Sequence, residues 1–166
     1  MTDRQELALR SELDEILRDP IRGIRASALY VDVTPDSLAV RVERPAALRR
    51  LLSTLIAAAS WGGGLQWIRI SARWESGGGV GEGGLRLAVA SRRSFQDAHA
   101  RSGWNGIEQV LLAEVRRAAE LVGGGEVLAR SGSGELACEV RLPAVELATH
   151  ESVAASFVGD AASCSA

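Results

Sequence analysis

The sequence predicts an α+β fold, a two-layer sandwich with helices on one face of a mainly antiparallel sheet. Three observations carry this expectation. Apolar residues recur at helical spacing in three separated stretches, around residues 9–17, 44–61 and 105–122. Period-two alternation clusters in pairs of runs, 66–74 with 85–89 and 126–130 with 135–142. Glycine-rich strings at 62–64, 77–84, 123–125 and 132–134 fall where these patterns stop and start.

Taken in order, the first element is a helix from about Thr2 to Arg18, with Leu9, Leu13, Ile16 and Leu17 on one face, ended by Asp19-Pro20. Ala28 to Val33 and Leu38 to Val42 read as two short strands around the turn chemistry of Thr34-Pro35-Asp36. Arg44 to Trp61 is the clearest helix: Leu48, Leu51, Leu52, Leu55, Ile56 and Ala59 form a stripe, and Pro45 suits the first turn. Gln66 to Trp74 places Ile68, Ile70, Ala72 and Trp74 on one face and Arg69, Ser71 and Arg73 on the other. Leu85, Leu87 and Val89 repeat the pattern after a glycine-dense hairpin connection. A polar loop comes next, and then a helix capped by Asn105 with Glu108 three residues on, whose stripe includes Ile107, Val110, Leu111, Val115, Ala118, Ala119 and Val122. Glu126 to Arg130 and Glu135 to Leu142 form a closing hairpin, with Leu136, Cys138, Val140 and Leu142 on the inner face. The expected organisation is a leading helix at 1–20 packed on or linking to the domain, one domain at 21–146, and a flexible tail at 147–166.

A chain of 166 residues with 46% hydrophobic and 24% charged residues has the composition of one globular domain, which excludes collagenous, disordered and disulfide-scaffold classes. The net charge of -2 offers no attraction to nucleic acid. All 19 basic residues are Arg, so mechanisms that need a lysine, such as Schiff-base or P-loop chemistry, are excluded. Acidic residues interrupt the N-terminal stretch, and no run approaches the ~20 apolar residues of a membrane span. A cytoplasmic location is expected, without direct membrane insertion. Cys138 reads as a small buried hydrophobe, Cys164 as a tail residue, and His99 and His150 as isolated surface histidines, so no metal site and no catalytic residue is expected.

The segments VERPAALRRLLSTLIAAASW, GLRLAVASRRSF and AEVRRAAELVGGGEVLARSGSGELACEVRLP, in that order and spacing, resemble the ATP-binding domain of bacterial sensor histidine kinases. This is the HATPase or Bergerat fold of the gyrase, chaperone and kinase ATPase superfamily. The similarity covers about residues 8 to 143 and implies a mixed, mainly antiparallel sheet. The resemblance also implies a nucleotide site, and here the sequence departs from the family. Where the family's N-box helix presents an acidic or amide residue and, four positions on, a magnesium-holding asparagine, this chain has Thr54 and Ala58. Ala58 offers no oxygen donor to a hard cation. Where the G1 box supplies an adenine-binding aspartate and then glycines, the chain reads Ser91-Arg92-Arg93-Ser94-Phe95. The later glycine box corresponds to Gln109-Val110-Leu111-Leu112, with only Gly106 close by.

A charge-assisted hydrogen bond is worth about 1.5–3 kcal/mol, against about 4–8 kcal/mol for a whole millimolar-to-micromolar site, so several missing contacts would remove nucleotide binding. The resemblance therefore implies a degenerate, non-enzymatic module that binds proteins in two-component signalling, such as a response-regulator receiver or another signalling domain, with no cofactor. Bacterial histidine phosphotransferases resemble this pattern, but the one helix ahead of the domain contains no His. The alternatives are a divergent active histidine or anti-sigma-type serine kinase using ATP and Mg, and a purely structural or dimerising domain. The sequence leaves the oligomeric state open. Phe95 and Trp104, large aromatics in a polar loop, are expected to fill the vacated cleft.

Overall fold

The computed structural model describes residues 4–18, 26–61, 64–76, 83–94, 107–132 and 134–148. In chain order the elements are β1 (Gln5–Ala8), α1 (Leu9–Arg18), β2 (Ala26–Thr34), β3 (Ala39–Val42), α2 (Pro45–Ser60), β4 (Leu65–Ser76), β5 (Gly83–Arg93), α3 (Ile107–Val122), β6 (Glu126–Gly132), β7 (Glu135–Leu142) and β8 (Glu146–Leu147). They build a five-stranded sheet in the order β2-β4-β5-β7-β6 and a small sheet in the order β1-β3-β8. Only β2 and β4 are parallel; every other pairing is antiparallel. A parallel pair needs a crossover, and the chain from β3 through α2 provides it. This is the mixed α+β sandwich expected from the sequence.

Period-two patterning decides which sheet face is covered. Ile68, Ile70 and Ala72 of β4, Leu85, Leu87 and Val89 of β5, and Cys138, Val140 and Leu142 of β7 are all buried. They join the stripe Leu48, Leu51, Leu52, Leu55, Ile56 of α2 and Leu112, Val115, Ala118, Ala119 of α3 in one cluster. Each such aliphatic side chain contributes roughly 1.5–3 kcal/mol on burial. On the opposite face stand Arg69, Ser71 and Arg73 of β4, with Arg86 and Ala88 of β5.

Several features differ from the sequence reading, and one is in α3, where Val110, expected on the apolar stripe, is exposed and Leu112 is buried instead. Gln5–Ala8 is a strand rather than the start of a helix, because it pairs with β3 through Leu7↔Val40 and Gln5↔Val42. That partner lies far along the chain and leaves no local periodicity. The run read as a strand over Leu38 to Val42 is β3 of the small sheet, a partner that the sequence reading did not specify, and Leu38 N donates to Pro35 O at 2.8 Å where the chain turns before it. Finally, β8 carries the fold past residue 146: Leu147 pairs with Val40, and Ala148 N donates to Ala39 O at 2.9 Å.

Glycine ends α3 for two separate reasons. Gly123 has φ +127°, a conformation that side chains other than glycine rarely adopt, and its N–H returns to Glu120 O at 3.1 Å. Gly125 lies so close to the Arg141 carbonyl of β7 that a Cβ would collide with it.

Candidate functional site

Three of the positions that the sequence singles out, Ala58, Ser91 and Arg93, lie where the C-terminal end of α2 meets the end of β5. Strand alternation continues the inward row Leu85, Leu87, Val89 to Ser91 and Arg93, so two polar residues enter an apolar face. Both are buried, at 0% and 5% exposure. Ser91 Oγ donates to the carbonyl of Ala59 at 2.8 Å. The Arg93 guanidinium donates to the carbonyl of Trp61, the residue that caps α2. The last turn of α2 contains no basic residue, so Arg93 brings from β5 the positive charge that a helix C-terminus favours. The backbone continues the attachment, with Arg93 N donating to Gly134 O at 3.0 Å and Ser94 N to Gly64 O at 2.8 Å.

Ala58 lies beside this contact and is fully buried, at 0% exposure. Thr54, one turn earlier, is half-buried, and its hydroxyl donates to Arg50 O of its own helix at 2.8 Å. Arg50 in turn joins α2 to α3 through Glu114 at 2.8 Å. Gln109 is exposed at the beginning of α3. The structure thus brings Ala58, Ser91 and Arg93 together, while Thr54 faces along its own helix and Gln109 faces outward. Gly106, Phe95, Trp104, Asn105, His99, His150 and Cys164 lie outside the described residues.

The chemistry available here is that of a structural contact. Ser91 uses its proton on a backbone carbonyl. Cys138, on the adjoining strand, is buried, and desolvation pushes its thiol up to about 11, so it stays protonated and non-nucleophilic at neutral pH. Among the described residues no group of three or more His, Cys, Asp or Glu is placed to hold a metal ion. No helix there is long and apolar enough to cross a membrane.

Sequence reasoning missed two charged arrangements. Glu12 of α1 is almost buried and forms a two-point pair with Arg49 of α2, at 2.7 and 2.9 Å. The second crosses the face of the large sheet opposite α2 and α3, where Arg73 stands opposite Arg86 and Arg86 opposite Arg141. The alternation of β4, β5 and β7 contained the signal for the second, but cross-strand register was needed to align it.

Comparison with solved structures identifies the architecture. The catalytic domain of histidine kinase ThkA superposes with a TM-score of 0.57 at 15% identity, over 85% of this chain and 97% of that one. The ATP-binding domain of PrrB from Mycobacterium tuberculosis gives 0.54 at 24% identity, over 85% and 97%. The fold is that of a histidine-kinase catalytic domain. Acinetobacter baumannii histidine kinase AdeS shares the histidine-kinase fold too, with a TM-score of 0.56 at 13% identity over 86% of this chain and 68% of that one. No protein-family model and no curated protein matches the chain. The three segments that carry the resemblance fall on α2, on β5, and on α3 with the β6–β7 hairpin.

Proposed function

We propose that this chain is a histidine-kinase-like domain that has lost nucleotide binding and serves as a protein-interaction module in two-component signal transduction. The observation that carries this reading is the hydrogen bond from Ser91 to Ala59 beside a fully buried Ala58. At the two positions where the resemblance implies an adenine-binding carboxylate and a magnesium-binding amide, the side chains are a hydroxyl turned onto the helix backbone and a methyl group inside the core. Neither can serve a nucleotide without parting α2 from β5. The fold kept without its ligand set is suited to presenting surfaces. The partner class is a signalling protein, such as a response-regulator receiver.

The test is calorimetric titration of ATP with magnesium into the full chain, beside a binding screen against purified receiver domains. Absence of magnesium-dependent binding together with saturable binding to a receiver is expected. Micromolar, magnesium-dependent ATP binding would overturn the loss of nucleotide binding and favour a divergent active kinase. A chain that binds neither ATP nor any receiver would favour a purely structural domain.

A further inference from the structure

The face of the five-stranded sheet opposite α2 and α3 carries a groove of about 260 Å³ lined by Asp32, Arg69, Ser71, Arg73, Arg86 and Ala88. We propose that this groove binds a tetrahedral oxyanion of the phosphate class.

Its geometry is set by register. On β4 the residues Arg69, Ser71 and Arg73 share the outer face, so one arginine stands on either side of Ser71, each about 7 Å from it along the strand. Ala88 faces Ser71 and Asp32 flanks it on β2, which leaves a floor of a hydroxyl and a methyl between walls of guanidinium. Arg86 reinforces the Arg73 wall from directly across the ladder. Both arginine side chains are long enough to lean over Ser71, and a small anion seated there bridges the walls through hydrogen bonds of about 2.9 Å on either side. Donors arriving from both sides, with a hydroxyl below, suit a tetrahedral group. A planar carboxylate is satisfied by one guanidinium fork.

Charge supports the same reading. Three guanidiniums and one carboxylate line the groove. Like charges directly opposite each other on neighbouring strands repel, and the row Arg73, Arg86, Arg141 sets three together. Asp32 holds Arg73 at 2.7 Å, and Glu75 and Glu139 hold Arg86 at 3.1 and 2.5 Å. The Arg73–Asp32 pair is about half exposed, with side-chain exposures of 55% and 44%, and such pairs are weak enough for an incoming dianion to compete. Arg69 makes no ion pair among the described residues; it lies over the Tyr30 ring, 5.7 Å from its centroid, a contact that leaves the edge of the guanidinium to donate. This site is separate from the end of α2 and does not depend on the reading of the nucleotide positions.

The experiment titrates inorganic phosphate into the full chain and follows the amide signals of Ser71 and Ala88 by NMR, against sodium chloride at matched ionic strength. A phosphoserine peptide and its unphosphorylated twin form a second arm. Saturable, phosphate-specific shifts are expected, weakened at least tenfold by Arg69→Gln, a substitution that breaks no ion pair among the described residues. Equal binding of phosphate and phosphopeptide would support a free ion as the natural ligand. Tighter binding of the phosphopeptide than of both phosphate and the twin would support a phosphorylated protein. Shifts that merely track ionic strength, or an Arg69→Gln chain with unchanged affinity, would overturn the proposal.

Discussion

Glu12 and Arg49 meet through two parallel hydrogen bonds, 2.7 and 2.9 Å long, that tie α1 to the outer side of α2. The Glu12 side chain is 11% exposed and the Arg49 side chain 45%, so one end of the pair is shielded from water and the other is not. Glu12→Gln keeps the shape and one acceptor but removes the charge. The expected loss is about 1 kcal/mol of unfolding free energy, between the values for an exposed pair and a charge-assisted buried bond. Urea denaturation measures it, and an unchanged midpoint would mean that the pair adds nothing to the packing of Leu9 and Leu13 and the Arg10 bond to Val31 O.

Ser91→Ala removes the side-chain donor to Ala59 O in a fully buried place. A loss of about 1–3 kcal/mol is expected. Ser91→Asp with Ala58→Asn, which introduces the residue types that the proposed function takes to be lost, sets a carboxylate against a carbonyl and adds volume to a packed core. The double variant is expected to melt well below the parent and to show no ATP binding by calorimetry. Recovery of magnesium-dependent binding would instead mean that α2 and β5 part readily.

Gly125→Ala is expected to cost more than the roughly 0.5–1 kcal/mol gain usual for replacing glycine inside a regular element, because its Cβ would meet the Arg141 carbonyl of β7. The backbone there cannot retreat without opening the β6–β7 ladder. A lowered melting temperature, with faster amide exchange at Arg141 and Leu142, is the expected signature.

Acid should weaken the charged face of the sheet. Burial works against ionisation of Glu139, but hydrogen bonds from Arg86 and Arg141 hold its pKa below the ordinary 4.5. The Arg73 hydrogen bond, helped by Thr34, does the same for Asp32, below 3.8. A carboxylate depressed in the folded state stabilises it fully above the unfolded pKa and loses that contribution as pH falls through the folded pKa. Stability is therefore expected to be flat in these groups from neutrality down to about pH 5 and to decline below about 4.5. Glu139→Gln should flatten the decline in a series of denaturation curves.

Chain shortening distinguishes the role of β8 from that of the residues beyond it. Ending the protein after Ala148 is expected to leave the melting temperature almost unchanged, since the residues past that point are mostly small and polar. Ending it after Ala144 removes Val145 and Ala148, which are 2% and 6% exposed, together with the pairing to β3, and should lower it by several degrees.

The inner sheet face and both long helices were legible because their signals are local: the stripe of α2 and the alternation of β4, β5 and β7 need only neighbouring residues. Long-range pairing was not. Gln5–Ala8 and Glu146–Leu147 are too short to show a period, and each becomes a strand only because β3 is there to receive it. At the candidate site, the sequence placed an alanine at 58 and a serine at 91 but did not show what either one touches. The alternation from Leu85 already placed Ser91 and Arg93 on the inner side; the carbonyls they serve belong to α2 and its cap and come near only through tertiary packing. The oxyanion groove was divided among three strands, with no motif in any of them.

Because β1 and β8 lie on either side of the same four-residue strand, β3 is where the beginning and the end of the described chain are read together. Arg4 and Glu146 add an ion pair across that junction. During synthesis β3 gains its first neighbour almost at once, whereas its second arrives only after every strand of the large sheet has been made. Completion of the small sheet thus requires that every described strand of the large sheet has already been made. A chain that stops inside the closing hairpin would leave one edge of β3 without the pairing to Glu146–Leu147.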